Sequence, residues 1–211
     1  MNEFFPLPCR EILSDGAFLL RGFANDDAPQ LLADLKAITA ASPFRHMIVP
    51  TGQSMSVAMT NAGTVGWVTD RSGYRYDRID PETGRPWPPL PVSFLTLAAR
   101  AAEAAGYSGF TPDGCLINRY EPGSRLTLHQ DRNERDFGQP IVSVSLGLPA
   151  RFLWSGSSRK DRPRRLSLSS GDVAVWGGKA RLNFHGVDTL ADGNDRLTGR
   201  CRINLTFRRA L

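Results

Sequence analysis

From Thr111 to its C-terminus the chain is a succession of short strand-like segments: "CLINRY", "RLTLHQ", "IVSVSLGL", "RFLW", "RLSLSS", "VAVWG" and "CRINLTFR". Glycine-containing or polar turns, among them "EPGS" and "SSGD", separate them, as expected where strands reverse direction. Helical patterns come earlier. In "NDDAPQLLADLKAITAASP", Asn25 to Asp27 are candidate caps, Pro29 lies in the first turn, and Leu31, Leu32, Leu35 and Ile38 fall on one face. "VSFLTLAARAAEAAG" reads as a second, alanine-rich helix stopped by Gly106. "GAFLLRGF", Gly16 to Phe23, reads as a short buried strand. Between the helices, "QSMSVAMTNAG" alternates like a strand, "GWVTDRSGYRYDR" is aromatic and basic, and "DPETGRPWPPLP" is a proline-rich loop. Two early helices followed by many short strands argue against alternating βα units. They predict a mainly β protein with flanking helices, in which helices buttress a double-stranded β-helix, or jelly roll. At 211 residues the chain reads as one domain, 1–211, with the jelly-roll core over about 111–211.

Hydrophobic residues at 41% and charged residues at 22% are the balance of a globular protein rather than a disordered or fibrous one. The net charge of +5 leans toward a polyanionic partner without deciding it. Cys9, Cys115 and Cys201 are too few and too scattered for a disulfide framework, and no C-x-x-C pair suggests zinc. A reducing, cytoplasmic setting fits. The stretch "MNEFFPLPCREILSDG" has no basic start and no long apolar run, so no secretion signal is expected, and no segment approaches bilayer-spanning length.

The stretch "LTLHQDRNE" places His129 and Asp131 two residues apart at the end of a strand. An extended chain repeats its side-chain direction every two residues, so both would project from one edge. His185, in "NFHGV", lies 54 residues beyond Asp131 and would return from a distant segment. Two imidazoles and one carboxylate on one face leave coordination positions open, the arrangement of non-haem Fe(II) oxygenases, although the same ligands can hold a catalytic zinc. A solvated strand end is the plainer alternative for H-x-D alone. His46, in "SPFRHMIV", has no comparable partner and reads as non-ligating.

In "CRINLTFRR", Arg202, Asn204, Thr206 and Arg208 alternate with Ile203, Leu205 and Phe207. Turned inward, that polar face needs an anionic ligand to make burial tolerable, and the guanidinium fork suits a carboxylate. Asn118 and Tyr120 in "CLINRYEPG" offer a matching face. An amphipathic edge strand with its arginines in water is the competing reading.

Together, "MSVAMTN", "CLINRYEPG", "LHQD", "PIVSVSLGLPA", "GDVAVWGG" and "CRINLTFR" closely resemble the AlkB family of Fe(II)- and 2-oxoglutarate-dependent nucleic-acid dealkylases, in its bacterial founding branch. The resemblance runs from about "SPFRHM" to the C-terminus. It implies that His129, Asp131 and His185 bind iron and carry catalysis. It also implies that Arg202 pairs with the distal carboxylate of 2-oxoglutarate, assisted by Asn118 and Tyr120, with Asn204 and Arg208 nearer the metal end. The implied reaction consumes O2, splits 2-oxoglutarate to succinate and CO2, and hydroxylates an N-alkyl group on a damaged base such as 1-methyladenine or 3-methylcytosine. The adduct sheds an aldehyde and the base is restored. The implied partner is alkylated single- or double-stranded DNA, with RNA as a further candidate, acted on by a monomer.

An enzyme attacking a base's pairing edge must extrude that base and hold it, and aromatic faces do so with little sequence preference. By resemblance, residues at about 45–90 contain a nucleotide-recognition lid. Trp67 stacks on the flipped base, and Tyr74, Arg75 and Tyr76 contact it or the adjacent phosphate. Arg159, in the charge run "SSRKDRPRR", matches a further substrate contact, while the neighbouring basic residues read as a solvated loop. Taken alone, Tyr74 and Tyr76 would read as the paired aromatics of a surface hairpin. One position departs from the family pattern: after H-x-D the founding members carry a base-reading aspartate where this chain has Asn133. An amide both donates and accepts, and it carries no charge. An altered preference between methylated adenine and methylated cytosine is expected, with the chemistry retained. Two rival functions are a 2-oxoglutarate oxygenase of a small molecule, disfavoured by the aromatic, basic lid, and a non-catalytic lesion-binding module, which has no need of the H-x-D and strand arginines.

Overall fold

The computed structural model describes residues 10–211; Cys9 and the start of the stretch read for a leader lie outside them. The first strands are β1 (Arg10–Ser14) and β2 (Ala17–Leu20), followed by helix α1 (Ala28–Ala41). Next come β3 (Ala58–Gly63), β4 (Gly66–Asp70), β5 (Gly73–Asp77) and helix α2 (Val92–Ala104). The remaining strands are β6 (Gly114–Tyr120), β7 (Leu126–His129), β8 (Ile141–Gly147), β9 (Ala150–Trp154), β10 (Arg164–Leu168), β11 (Val173–Trp176), β12 (His185–Val187) and β13 (Arg202–Arg208). The large sheet runs β1-β2-β11-β8-β13-β6-β3, the small one β10-β9-β12-β7, and β4 with β5 forms a separate hairpin. All these pairings are antiparallel, giving the expected double-stranded β-helix.

The helices begin and end for local reasons. Asp27 occupies the N-cap of α1 but makes no side-chain cap; its carboxylate instead accepts from Arg100 of α2 at 3.0 Å, tying the helices together. Leu31, Leu35 and Ile38 are buried on one face. At the end of α2, Gly106 adopts φ +91. Its N–H donates to Glu103 O and that of Tyr107 to Ala102 O, a Schellman closure that glycine makes without steric cost.

Both helices cover the outer face of the large sheet, where Ile203, Leu205 and Phe207 of β13 pack with Leu31, Phe94 and Leu97. The second core lies between the sheets and contains Met59, Leu116, Tyr120, Phe152, Trp154 and Trp176. Strand alternation therefore sends the polar residues of β13 into the space between the sheets. Moreover, β13 is a central strand, paired with β6 on one side and β8 on the other. The solvated-edge alternative for its arginines is thereby overturned: Arg202 is 1% and Arg208 5% exposed.

Two boundaries differ from those expected. The large sheet does not start at Thr111, because β1, β2 and β3 join it from the N-terminal half. β1 gives little sequence signal because it is a sheet-edge strand whose Arg10 and Ile12 are exposed. Nor is all of about 45–90 a lid: β3 pairs with β6 from Ala58↔Arg119 to Gly63↔Gly114, leaving the β4–β5 hairpin and its flanking loops as the separable part.

Candidate active site

The register of the small sheet assembles the first cluster. His185 of β12 stands directly opposite His129 of β7, so their imidazoles are cross-strand neighbours with centroids 4.4 Å apart. Asp131 follows just past the end of β7, and one ligand atom from each of the three lies within 4.8 Å of the others. Gly186 permits the close approach of the strands: a Cβ there would sit 2.7 Å from Leu126 O. His129 Nδ1 lies 2.8 Å from Thr127 O and His185 Nδ1 3.1 Å from Asn183 O. A carbonyl only accepts, so each Nδ1 donates and each Nε2 keeps its lone pair free for a metal. Burial, then the neighbouring His129, pushes the His185 pKa down to about 3; the ring is neutral, as a ligand must be. His46 is not part of this cluster; its Nδ1 lies against Met55 O.

Charge around Asp131 is fixed by Arg208, expected at the metal end, and by two residues that nothing in the sequence marked, Glu134 and Arg181. Burial opposes ionisation of Asp131, but Arg208 and both imidazoles outweigh it and hold the carboxyl well below the usual range. Arg208 Nε and an Nη donate to Asp131 Oδ2 at 3.0 and 2.7 Å. Arg208 also pairs with Glu134 at 3.4 Å. Buried Glu134 accepts from Tyr76 Oη at 2.6 Å and from Arg181 at 3.1 Å. Arg181 in turn donates to the Asp131 backbone carbonyl at 2.8 Å. Glu134 and Arg181 sit in charged or irregular segments that carry no periodic signal, so nothing local in the sequence marks them.

At the other end of the inward face, Arg202 has the opposite condition. One Nη donates to Ser145 Oγ at 2.9 Å, while its Nε and other Nη have no partner among the described residues. Its guanidinium carbon lies 5.0 Å from the Tyr120 ring centroid. The register pairs Arg202 with Tyr120 and Asn204 with Asn118. Asn118 Nδ2 donates to Asn204 Oδ1, and Asn204 Nδ2 donates to Ser143 Oγ and Val144 O. The Asn118 Oδ1 has no partner among the described residues. Ser143 and Ser145 were legible in principle, since the V-S-V-S alternation of β8 places them on this face. A buried, uncompensated guanidinium is costly unless an anion joins it. The donor set His–Asp–His and the orphaned Arg202 therefore fit a divalent iron and an anionic, carboxylate-bearing cosubstrate respectively.

Both ends open into one cavity of about 440 Å³, lined by the three clustered residues and by Asn118, Tyr120, Arg202, Asn204 and Arg208. Its lining also includes Trp67, Tyr74, Asn133 and Arg159. Trp67 and Tyr74 are cofacial, with centroids 5.7 Å apart and planes 25° apart, and Trp67 Nε1 donates to Asn133 Oδ1 at 3.2 Å. Arg159 donates to Leu128 O at 3.0 Å, beside β7. Two residues expected at the substrate are not among the cavity lining. Arg75 pairs with Asp70 at 2.8 Å and Asp77 at 3.5 Å, and Tyr76 turns its hydroxyl to Glu134, consistent with opposite faces of a strand.

A family model described as the 2OG-Fe(II) oxygenase superfamily matches residues 16–208. The alpha-ketoglutarate-dependent dioxygenase AlkB of Escherichia coli (strain K12) is 55% identical over 203 residues, 96% of this chain and 94% of that protein. The chain belongs to the AlkB family. As a member it is an Fe(II)- and 2-oxoglutarate-dependent dioxygenase. The Mus musculus nucleic acid dioxygenase ALKBH1 is 34% identical over 135 residues, 64% of this chain and 34% of that protein. The solved structure of OsALKBH1 superposes with a TM-score of 0.84 at 30% identity, covering 95% of this chain and all of that one. The likeness spans both sheets, so the AlkB-family jelly roll is the frame on which all the clusters above are mounted.

Proposed function

We propose that the chain is an oxidative DNA dealkylase that removes N-alkyl groups from damaged bases such as 1-methyladenine and 3-methylcytosine. The observation that carries the reading is that the stacked Trp67–Tyr74 pair and the His129–Asp131–His185 cluster share one cavity. His129, Asp131 and His185 are the residues to hold Fe(II), through both Nε2 atoms and a carboxylate oxygen. Arg202 takes the distal carboxylate of 2-oxoglutarate with Asn118 and Tyr120 beside it, and Asn204 and Arg208 line the metal end. Bound there, Fe(II) supplies the oxidation that couples O2 and the loss of CO2 from 2-oxoglutarate to hydroxylation of an inert C–H bond.

The chain's own groups do the rest. Trp67, with Tyr74 behind it, offers a flat face on which an extruded base stacks. Asn133 hydrogen-bonds its pairing edge, and Arg159 is positioned for a phosphate. Arg208 orients Asp131, and the backbone carbonyls behind both histidines set their tautomers. The hydroxylated alkyl carbon leaves as an aldehyde, formaldehyde for a methyl group, and the base is restored. Arg75, through the Asp70 and Asp77 pairs, and Tyr76, through Glu134, support the hairpin rather than touching the base. The same proposal takes 1–211 as a single catalytic domain, RNA as a further substrate and a monomer as the acting form. A cytoplasmic location is supported by the free thiols of Cys115 and Cys201; among the described residues no helix is long and apolar enough to cross a membrane.

Succinate release with an alkylated oligonucleotide, its unmodified twin and no DNA tests the reading. Stimulation by the alkylated strand is expected. Turnover indifferent to DNA favours a small-molecule oxygenase, and binding of the lesion without succinate favours a silent lesion binder.

A further inference from the structure

Two of the three clustered side chains are placed by a strand ladder, and the third is not. His129 ends β7 and stands in register with His185 of β12. From Gln130 to Glu134 the chain is neither helix nor strand, and among the described residues no hydrogen bond from main chain to main chain holds it. Asp131 lies in that stretch. Arg208 grips its carboxylate, but the position of its backbone needs a separate cause.

Arg181 supplies it. The side chain is 3% exposed, and each of its three nitrogens meets a different acceptor of one loop. Nε donates to Gln139 O at 3.0 Å, one Nη to Asp131 O at 2.8 Å and the other to Glu134 Oε2 at 3.1 Å. Its own backbone is pinned. Arg181 N–H donates to Gly178 O and Ala180 N–H to Gly177 O, while Gly177 N–H donates to Gly16 O, next to β2. The same segment runs on into His185, and Gln130 Nε2 adds a second tie to it at Leu182 O, 2.6 Å away. A planar fork with every nitrogen engaged acts as a brace. It joins the segment that carries His185 to the loop that carries Asp131.

The brace also reaches the hairpin. Glu134, three residues past Asp131, accepts from Tyr76 Oη at 2.6 Å. Tyr76 lies on β5, directly opposite Trp67 of β4. Arg181 thus holds both ends of the short span between the third clustered ligand and the tether of the hairpin.

We propose that Arg181 is a positioning residue that sets where Asp131 stands relative to the two histidines and where the β4–β5 hairpin is tied down. The inference rests on the reading of His129, Asp131 and His185 as the iron ligands.

The test measures Fe(II) affinity without O2, by competition with a chelator, in the parent, Arg181→Met, Arg181→Lys, Tyr76→Phe and His129→Ala. Lysine keeps the charge beside buried Glu134 but presents one nitrogen where three separate contacts are made, so it serves if the methionine variant does not fold. Both Arg181 variants are expected to bind Fe(II) about 10–100-fold more weakly, the scale for loss of a group that orients a metal ligand. At saturating Fe(II) they should also bind a single-stranded oligonucleotide bearing 1-methyladenine more weakly, read by fluorescence anisotropy. Tyr76→Phe should weaken the oligonucleotide alone. The KM for 2-oxoglutarate at saturating Fe(II) should stay that of the parent, because Arg202 is untouched. Parent-like Fe(II) affinity in a folded Arg181 variant overturns the inference, and so does a parallel rise in that KM, which marks collapse of the whole cavity. Weaker Fe(II) binding with oligonucleotide binding unchanged overturns the hairpin half. Fe(II) bound as tightly by His129→Ala as by the parent removes the ligand reading itself, and the inference with it.

Discussion

Arg208 donates twice to a single oxygen of Asp131, Oδ2, at 2.7 and 3.0 Å. Both residues are buried, and Glu134 lies on the far side of the same guanidinium at 3.4 Å. One cation thus bridges two buried carboxylates, Glu134 holding Arg181 as well at 3.1 Å, and Asp131 faces the histidines with both oxygens, Oδ1 3.7 Å from His129 Nε2 and Oδ2 3.7 Å from His185 Nε2. Arg208→Met strands Asp131 without its cation and leaves Glu134 with Arg181 alone. Removing one member of a buried ion pair costs about 3–5 kcal/mol, and a loss of that size is expected in urea unfolding of the metal-free variant. Iron affinity should fall by about 10–100-fold as Asp131 loses its orientation.

Arg202 should behave oppositely. Two of its nitrogens have no partner among the described residues, and burial lowers its pKa, so the charge is a burden until an anion arrives. Arg202→Met keeps the side chain's length without the charge. Metal-free Arg202→Met is expected to unfold at the same or a higher temperature than the parent, while its KM for 2-oxoglutarate rises about 100-fold or more, the scale of a lost charged hydrogen-bond pair. A less stable variant with unchanged KM would contradict the assignment.

Gly186 is a spacing device. A Cβ would meet Leu126 O at 2.7 Å and the Thr127 backbone at 3.1 Å, forcing β12 away from β7 where His185 opposes His129. Gly186→Ala is expected to weaken Fe(II) binding by about 10-fold or more, measured by competition with a chelator, while far-ultraviolet circular dichroism stays that of the parent.

Stability of the metal-free protein should depend on pH through His185. Its folded pKa of about 3 lies below the ordinary 6.5, so between those values the unfolded chain binds the extra proton. Stability is therefore full above about 6.5 and is lost as pH falls toward 3. Asp131, held below its ordinary 3.8, adds a further loss at the acid end. The melting temperature of the parent minus that of His185→Gln is expected to shrink as pH falls through this window. A constant difference would show that His185 is not held neutral.

Much of this was legible from alternation. The run of strands after Thr111 and the inward face of Arg202 to Arg208 follow from a two-residue period, which burial on both sides of β13 enforces in the second case; the same period puts His129 and Asp131 on one edge, while His185 joins them through the β7–β12 register. What escaped was set by long-range contact. β1 is an edge strand with exposed positions, so it lacks an apolar pattern. Glu134 and Arg181 are separated by 47 residues and meet only because β12 returns beside β7. Tyr74 and Tyr76 look alike in sequence and share one face of β5, yet the first lines the cavity beside Trp67 and the second is bonded to Glu134, a partner only the folded chain supplies.

Lesion reversal followed by mass spectrometry tests the central claim most directly. Single-stranded oligonucleotides bearing 1-methyladenine, 3-methylcytosine, 1-methylguanine or 3-methylthymine are incubated with the protein, Fe(II), 2-oxoglutarate and O2, beside His129→Ala. Loss of one methyl mass that requires 2-oxoglutarate and is absent in His129→Ala is the expected result. Intact lesions throughout, with iron bound to the parent protein, would contradict it.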